Sequence, residues 1–176
     1  MKAEELTIPG VLLSRPIRHR DDRGWFMELV REEAFGTSFV QSNHSHSRRG
    51  VLRGLHYHAK QSDAWYVVGG QARVGLVDLR TRDERPNVLT VELSADDPAV
   101  LYIPPGVAHG FYAVTDLHLI YWVTHYFDNS DEFSVAWDDP ALGVAWGVSD
   151  AVVSDRDATA PELDWDAVPV ITLPSA

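Results

Sequence analysis

Cysteine is absent from the 176 residues. This absence excludes disulfide bonds, thiolate metal sites and a cysteine nucleophile, and it is typical of a cytoplasmic protein. The chain has no run of about 18 apolar residues, so we predict no membrane-spanning helix and no membrane partner. The first ten residues also lack the apolar core of a secretory signal peptide. We therefore expect a cytoplasmic protein.

Basic side chains are scarce in the second half of the chain. Fourteen of the fifteen Lys and Arg residues lie at or before Arg85, and only Arg156 follows, against fifteen acidic residues. The net charge of −11 argues against nucleic acid as a partner, because phosphate backbones bind to basic surfaces. Seven arginines fall between Arg18 and Arg53. They are either a solvated surface or a local site for an anionic ligand.

Short strands separated by turns dominate the middle of the chain. Alternating and β-branched segments predict strands at 64–68, 72–79, 88–93, 100–103 and 117–124. The longest helical candidate, 31–35, is only one or two turns long. This pattern predicts an all-β antiparallel sandwich or barrel with short peripheral helices. The exposed edge strands of such a fold favour a dimer.

Three histidines stand at fixed distances from glycine and proline. The spacing G-x5-H-x-H-x4-D-x6-G covers Gly50, His56, His58, Asp63 and Gly70, and P-x-G-x2-H covers Pro104, Gly106 and His109. These spacings resemble the two cupin motifs, with Asp in the usual Glu position. The resemblance implies a cupin (jelly-roll) barrel. We expect one domain, residues 1–176, with a barrel core at about 39–147, wrapped by N-terminal strands and a C-terminal tail.

The histidine cluster is open to two chemical interpretations. His56 and His58 are two residues apart and therefore face the same side of a strand. Together with Asp63 and His109 they form a candidate site for a divalent transition metal, because imidazole and carboxylate suit Zn, Fe, Mn, Ni or Cu. Alternatively, one histidine is a general base and the others bind substrate. A purely structural role, as buried hydrogen-bonded histidines, is the third possibility.

Longer segments resemble one enzyme family in the same order along the chain. They are DRG (22–24), FVQSNHSHSRRGVLRGLHY (39–57), VDLR (77–80), IPPGVAHGF (103–111), WDDPALGVAW (137–146) and SDRD (154–157). Over about residues 8–165 the chain resembles the dTDP-4-dehydrorhamnose 3,5-epimerases of deoxysugar biosynthesis. The resemblance implies an isomerase that inverts the carbon or carbons α to the ketone (C3 and/or C5) of a dTDP-4-keto-6-deoxyhexose. It implies no cofactor.

The resemblance also implies roles for particular residues. His56 is the base, Asp157 orients its ring, and Tyr121 is the acid on the opposite side of the substrate. A carboxylate beside an imidazole fixes the tautomer and stabilises the charged form. The implied substrate-binding residues are Arg23, Glu28, Gln41, Asn43, Arg53, His109 and Arg156, with Trp25 and Phe127 as flat surfaces near the nucleotide base. Arg23 and Glu28 are implied to reach the site of a neighbouring subunit in a homodimer.

Two positions depart from the family pattern. His58 stands where the family usually has Gln, and Asp63 stands where it has a lysine that helps to stabilise the enolate. Lys60, in a shortened loop, is a candidate to replace that cation. Because both changes restore the general cupin metal set, two alternatives stay open: a metal-dependent cupin enzyme and a sugar-nucleotide ketoisomerase. A non-enzymatic sugar-binding or scaffold cupin is a third.

Overall fold

A computed structural model describes residues 2–82 and 85–171 of the chain. Its strands and helices are short and follow one another closely. In chain order they are β1 (Ala3–Glu5), β2 (Leu12–Ser14), β3 (His19–Asp21), β4 (Gly24–Phe26), α1 (Glu32–Phe35), β5 (Gln41–Ser47), β6 (Leu52–Tyr57), β7 (Asp63–Gly69), β8 (Gln71–Asp78), β9 (Val88–Ser94), β10 (Val100–Ile103), β11 (Val107–Ala113), β12 (Leu117–Val123), β13 (Phe133–Ser134) and α2 (Asp155–Ala158). One turn of 3₁₀ helix, Asn129–Asp131, precedes β13.

Two antiparallel sheets carry the fold. The larger sheet has the strand order β1-β2-β10-β7-β12-β5, and the smaller has the order β13-β6-β11-β8-β9. Strands β3 and β4 form a separate hairpin. Strands adjacent in sequence, such as β6 and β7, lie in different sheets. The chain therefore crosses repeatedly between the layers, and the architecture is the predicted cupin-type jelly roll.

Apolar side chains from both sheets fill the space between them. Alternate residues of a strand point to opposite faces, so the buried residues Trp65 and Val67 of β7 face Val74 and Leu76 of β8 across the sandwich. Each fully buried side chain of this size contributes about 1.5–3 kcal/mol. This core fixes the distance between the sheets and leaves one end of the sandwich for polar side chains.

The chain termini cover the outer faces of the two sheets. Residues 142–168 pack on the smaller sheet around buried Leu55 and Trp146, and Val51 pairs with Val152 in an isolated parallel bridge. On the larger sheet, α1 and its neighbours pack through Phe35. Val153, Leu163, Trp165 and Val168 of the C-terminal segment take part in the packing on the smaller sheet. Within the described ranges, no helix has the length and hydropathy required to cross a membrane.

The strand predictions agree with the structure to within one residue at each end. The segment 100–103 is β10 as predicted, and the other predicted strands correspond to β7, β8, β9 and β12. The predicted helix at 31–35 begins one residue later, because Arg31 has an extended backbone. These segments could be predicted from the sequence because burial on one or both faces imposes a residue pattern on each strand.

Candidate functional site

A cavity of about 370 Å³ lies at the polar end of the sandwich. Its walls combine strands of both sheets, and its apolar lining includes Trp65, Phe111 and Leu119. Eight of the residues singled out from the sequence as catalytic, substrate-binding or metal-binding line it: Gln41, Asn43, Arg53, His56, His58, Asp63, His109 and Tyr121. The exposed ring of Phe127 lies at the same cavity. A concave site with convergent polar groups over an apolar lining is the usual form of a small-molecule site.

The pairing of β6 with β11 brings two of the histidines together. His56 and His109 are directly opposite each other in this antiparallel pair, and the register shifts by one residue between His109 and Phe111. Two glycines permit the close approach of the backbones, because a Cβ on Gly54 would lie 2.6 Å from the Cα of Gly110. Gly54 also has a φ of +129°, which side-chain-bearing residues rarely adopt. The two imidazoles therefore share one face of the smaller sheet.

His56 and Asp157 form a hydrogen-bonded dyad at the cavity wall. Nε2 of His56 donates to Oδ1 of Asp157 at 2.8 Å, and Asp157 is buried. Helix α2 positions the carboxylate, and Ser154 caps this helix by accepting from the Asp157 N–H at 3.1 Å. Burial acts to raise the pKa of Asp157, but the hydrogen bond and charge of His56, together with the Gly54 N–H, hold it below its ordinary value of 3.8. With Nε2 donating, Nδ1 of the neutral ring keeps its lone pair.

Tyr121 reaches the same cavity from the larger sheet. It lies on β12 opposite Trp65 of β7 on one side and Asn43 of β5 on the other. Burial raises the pKa of Tyr121 above its ordinary value of 10, and the nearby carboxylate of Asp63 raises it further. The phenol therefore keeps its proton at neutral pH and is available as a proton donor.

His58, Asp63 and His109 form a second group, which we call the buried triad. One ligand atom of each lies within 4.8 Å of the others. His56 is not part of this group, so the structure gathers only three of the four residues in the candidate metal set. Burial lowers the pKa of His109 from 6.5 to about 4, and the charge of Asp63 offsets only part of that effect.

The polar wall beside Tyr121 carries the amides and the guanidinium implied to bind substrate. Nε2 of Gln41 donates to Oδ1 of Asn43 at 2.9 Å. Nε of Arg53 donates to the Ser47 hydroxyl at 3.0 Å, and its Nη2 donates to the His46 carbonyl at 3.2 Å. These bonds hold the Arg53 fork at the wall of an otherwise acidic protein. A fixed guanidinium suits a phosphate or carboxylate.

Four residues implied to contact substrate or nucleotide lie away from this cavity in the single chain. Arg23 is 90% exposed on the β3–β4 hairpin and pairs with Asp21, and Trp25 of that hairpin is also exposed. Glu28 pairs with Arg31. Arg156 lies in a separate shallow cavity beside Asp157, where its Nη1 donates to Glu132 at 2.7 Å.

Lys60 does not lie at the main cavity. It lies at a smaller neighbouring cavity, and its backbone N–H donates to Asp131. The candidate replacement for the family lysine is therefore not in place in this structure.

Sequence reasoning missed three residues that build the site. The buried carboxylate of Asp131 accepts from the N–H groups of Ala59, Lys60 and Gln61, and so shapes the loop after β6. No local pattern marks Asp131, because its partners come from a segment about 70 residues away, and the amide of Gln61, which donates to Asp63, follows no recognised motif. The third residue, Ser154, could have been predicted as a helix cap, because Ser-x-x-Asp is typical of a helix N-terminus.

Comparison with known proteins agrees with the resemblance seen in the sequence. The family profile described as dTDP-4-dehydrorhamnose 3,5-epimerase matches residues 5–164. The spore coat polysaccharide biosynthesis protein SpsL of Bacillus subtilis is 40% identical over 145 residues, which cover 79% of this chain and 96% of that protein. The dTDP-4-dehydrorhamnose 3,5-epimerase of Pseudomonas aeruginosa is 37% identical over 168 residues, 89% of this chain and 93% of that enzyme.

A solved structure agrees over almost the full length. The dTDP-6-deoxy-D-glucose-3,5-epimerase RmlC of Legionella pneumophila, in complex with dTDP-4-keto-L-rhamnose, superposes with a TM-score of 0.85 at 30% identity and covers 99% of each chain. The match therefore extends to the fold as a whole, the sandwich and the segments that wrap it. The chain belongs to the dTDP-4-dehydrorhamnose 3,5-epimerase family.

Proposed function

We propose that this protein is an epimerase that inverts the carbon or carbons next to the ketone (C3 and/or C5) of a dTDP-4-keto-6-deoxyhexose. The observation that carries the proposal is the meeting of the His56–Asp157 dyad and Tyr121 at one cavity. An epimerase of this kind needs a base on one side of the substrate and an acid on the other. Those two groups come here from different sheets.

His56 is the proposed base. The free lone pair of its ring takes the proton α to the carbonyl, the C–H electron pair forms a C=C bond, and the carbonyl electrons move to oxygen to form an enolate. The ionised Asp157 stabilises the resulting imidazolium through the 2.8 Å hydrogen bond. Atoms and electrons balance without oxidation, so the reaction needs no redox or organic cofactor. A positioned base typically contributes about 10²–10⁴ in rate.

Tyr121 is the proposed acid. Its phenol returns a proton to the opposite face of the enolate carbon, which inverts the centre. The raised pKa supports this role, because the group remains protonated at neutral pH. Before the next turnover the phenolate takes a proton from solvent and the imidazolium of His56 releases its proton to solvent, so the protein returns to its starting state.

The nucleotide end of the substrate is proposed to bind at Arg53, Gln41 and Asn43. Arg53 supports this assignment because it is the arginine at the cavity wall, and a diphosphate needs a cation there. The Legionella relative was solved with dTDP-4-keto-L-rhamnose, a ligand of the proposed class. Because a nucleotide diphosphate does not cross a bilayer unaided, we place the enzyme in the cytoplasm with its substrate.

We further propose a homodimer of single-domain chains, residues 1–176, in which Arg23 and Glu28 serve the partner's site. The β3–β4 hairpin supports this arrangement, because it presents Arg23 beside the exposed rings of Trp25 and Phe26. Subunit mixing tests it. Arg23→Ala and His56→Asn are each expected to be inactive, and their mixture is expected to regain activity at the mixed sites. No recovery in a verified heterodimer would contradict the exchange of residues.

Solvent exchange tests the proposed reaction itself. In heavy water, the enzyme is expected to incorporate deuterium at C3 or C5 of dTDP-4-keto-6-deoxyglucose, with NMR reporting each position. His56→Asn is expected to abolish the exchange, while an exposed control, His118→Gln, leaves it unchanged. Full exchange by His56→Asn would refute the assignment of the base.

A ketoisomerase is the second candidate, and the buried triad favours it because it departs from the family pattern at two positions. Such an enzyme would start from the same enolate but would move the ketone to the neighbouring carbon. The same NMR experiment separates the two. A displaced carbonyl signal indicates isomerisation, and an inverted proton coupling pattern with the ketone still at C4 indicates epimerisation.

A further inference from the structure

Three exposed histidines meet on the outer face of the larger sheet, on the side that faces away from the cavity. His44 and His46 lie on β5, and His118 lies on β12. Alternate residues of a strand point to opposite faces. Asn43 and Ser45 of β5 line the cavity, so their neighbours His44 and His46 point to the other side of the sheet. We call His44, His46 and His118 the outer histidine cluster.

Strand pairing brings these three rings together. In the antiparallel pair of β5 and β12, His118 is directly opposite His46, and Ile120 is directly opposite His44. The arrangement is therefore His-x-His on one strand with a third histidine on the neighbouring strand. Side chains at directly opposite and diagonal positions of such a pair are close enough to interact. The backbone register thus places three imidazoles on one small patch of the sheet.

Two ring nitrogens of the cluster are separated by about the distance between two ligands of one metal ion. Nε2 of His44 lies 3.1 Å from Nδ1 of His118. Bonds of about 2.0–2.1 Å to a tetrahedral Zn²⁺ place two nitrogens about 3.3 Å apart. The ring centroids of His46 and His118 are 4.7 Å apart. Because His46 is exposed, its side chain is free to turn a ring nitrogen towards the same ion.

The position of His118 directs its Nδ1 towards β5. On its other side, His118 pairs with Gly69 of β7. A Cβ placed on Gly69 would lie 3.7 Å from Cδ2 of His118, so this edge of the ring lies over the glycine. Nδ1 and Cδ2 are on opposite sides of an imidazole ring, and Nδ1 therefore faces His44. The absence of a side chain at Gly69 leaves room for this orientation.

The outer histidine cluster has no anionic partner within residues 2–82 and 85–171. None of the ion pairs found there includes His44, His46 or His118. Three protonated imidazoles would repel one another at these distances, whereas three neutral rings are compatible. Neutral imidazole is the form that binds Zn²⁺, Cu²⁺ and Ni²⁺. The cluster therefore has the composition of a metal site and lacks that of an ion pair.

We propose that His44, His46 and His118 together bind one divalent transition-metal ion, with water in the remaining position. In the contact between His44 and His118, one nitrogen donates and the other accepts. On metal binding the donating ring moves its proton to its other nitrogen, and both facing nitrogens then coordinate the ion. Strand β5 is at the edge of the larger sheet. The ion therefore links an edge strand to its neighbour, and it stabilises the folded chain because it binds only the folded form.

Binding of Zn²⁺ to the full chain tests the site, and because no substrate is present the result is independent of the proposed reaction. Metal-free protein titrated in a calorimeter is expected to show saturable binding. In ¹⁵N NMR of histidine-labelled protein, the ring nitrogens of His44, His46 and His118 are expected to shift. Zn²⁺ at about 100 times its dissociation constant is expected to raise the melting temperature by about 5–10 °C. Mg²⁺ is the control and is expected to have no effect, because it prefers oxygen ligands.

Variants distinguish this site from the histidines of the cavity. His44→Gln and His46→Gln are each expected to weaken Zn²⁺ binding by at least about tenfold, the smallest loss typical of removing even a supporting group of a metal site. The double variant is expected to lose the site and the rise in melting temperature. Two controls are expected to retain both: His58→Gln removes a cavity histidine, and His125→Gln removes an exposed histidine outside the cluster.

Two results would overturn the proposal. One is a saturable site that His58→Gln removes and the double variant of His44 and His46 retains, because the ion would then lie in the cavity. The other is weak binding without saturation that the double variant leaves unchanged. Circular dichroism verifies that each variant is folded, and the NMR shifts of the parent protein test the same ligands without any substitution.

Discussion

The two histidine groups of the cavity contain the same side-chain types and differ in what holds the rings. In the His56–Asp157 dyad, a carboxylate accepts from the imidazole at 2.8 Å. In the buried triad, backbone carbonyls accept from His58 and His109. A carboxylate stabilises a protonated ring, whereas a neutral carbonyl mainly fixes the tautomer.

The comparison shows how one cavity can hold a ring suited to proton transfer beside rings suited to stay neutral. His56 is 23% exposed at its side chain and has an anionic partner, which suits a group that gains and loses a proton. His109 is buried and burial lowers its pKa to about 4, which suits a ring that stays neutral at physiological pH. Substitutions that change one group and leave the other unchanged test this difference in role.

The largest expected effect is at the dyad. Asp157→Asn is expected to lower the rate of deuterium exchange by about 10²–10⁴, because an amide cannot stabilise the imidazolium of His56. NMR exchange rates of the variant and the parent measure the effect. A rate within threefold of the parent would show that Asp157 does not support the base.

Tyr121→Phe is expected to lower the rate of inversion more than the rate of deuterium exchange. Inversion should fall by about 10²-fold because the acid is gone. Exchange on the His56 side should fall less, because the base is untouched and can return a solvent-derived proton to the same face. NMR distinguishes deuterated substrate from inverted product. Equal losses in the two rates would indicate that Tyr121 serves binding rather than protonation.

Gln61→Glu acts on the triad alone. It replaces the amide that donates to Asp63 with a carboxylate, so the variant is expected to lose about 1–3 kcal/mol of unfolding free energy, because two carboxylates then lie together. Gln71→Glu places the same charge beside Glu92 at the exposed surface and is expected to cost less, because solvent screens the repulsion. Urea unfolding of both variants decides the outcome, and equal losses would argue against the contact between Gln61 and Asp63.

Ser154→Ala tests the support of the dyad. Loss of this helix cap is expected to cost about 1 kcal/mol of unfolding free energy and to lower the melting temperature by about 2–4 °C. A few-fold loss of exchange should accompany it as the Asp157 carboxylate loosens. Ser154→Thr, which retains a capping hydroxyl, is expected to restore most of both. Thermal unfolding and NMR exchange are the measurements, and equal behaviour of Ala and Thr would contradict a capping role.

The smallest effect is a pH dependence of stability. Asp157 has a folded-state pKa below its ordinary value of 3.8, so the unfolded chain takes up its proton first as pH falls. The stability that Asp157 contributes is therefore fully present above about pH 4–5 and is lost as pH falls through the lower folded value. The difference in unfolding free energy between parent and Asp157→Asn should shrink in that window. A constant difference in urea titrations from pH 6 to pH 3 would contradict it.

Much of the fold and part of the site could be predicted because their signals are local. The strand at 100–103 and the spacing of His56, His58 and His109 depend on side-chain alternation and on turns of fixed length. The same spacing could not separate His56 from the other histidines. It could not pair Arg156 with Glu132, nor show that Lys60 lies outside the main cavity.

The sequence alone determined the class of fold, the family and which residue types gather at one end of the barrel, because the period of a strand dictates the face on which each side chain lies. Tertiary structure decided what each ring can do. The partner of His56 lies 101 residues away on α2, and the carbonyl that orients His58 lies 73 residues away. Hydrogen bonds between such distant segments choose which ring nitrogen stays free, and only the folded chain brings those segments together.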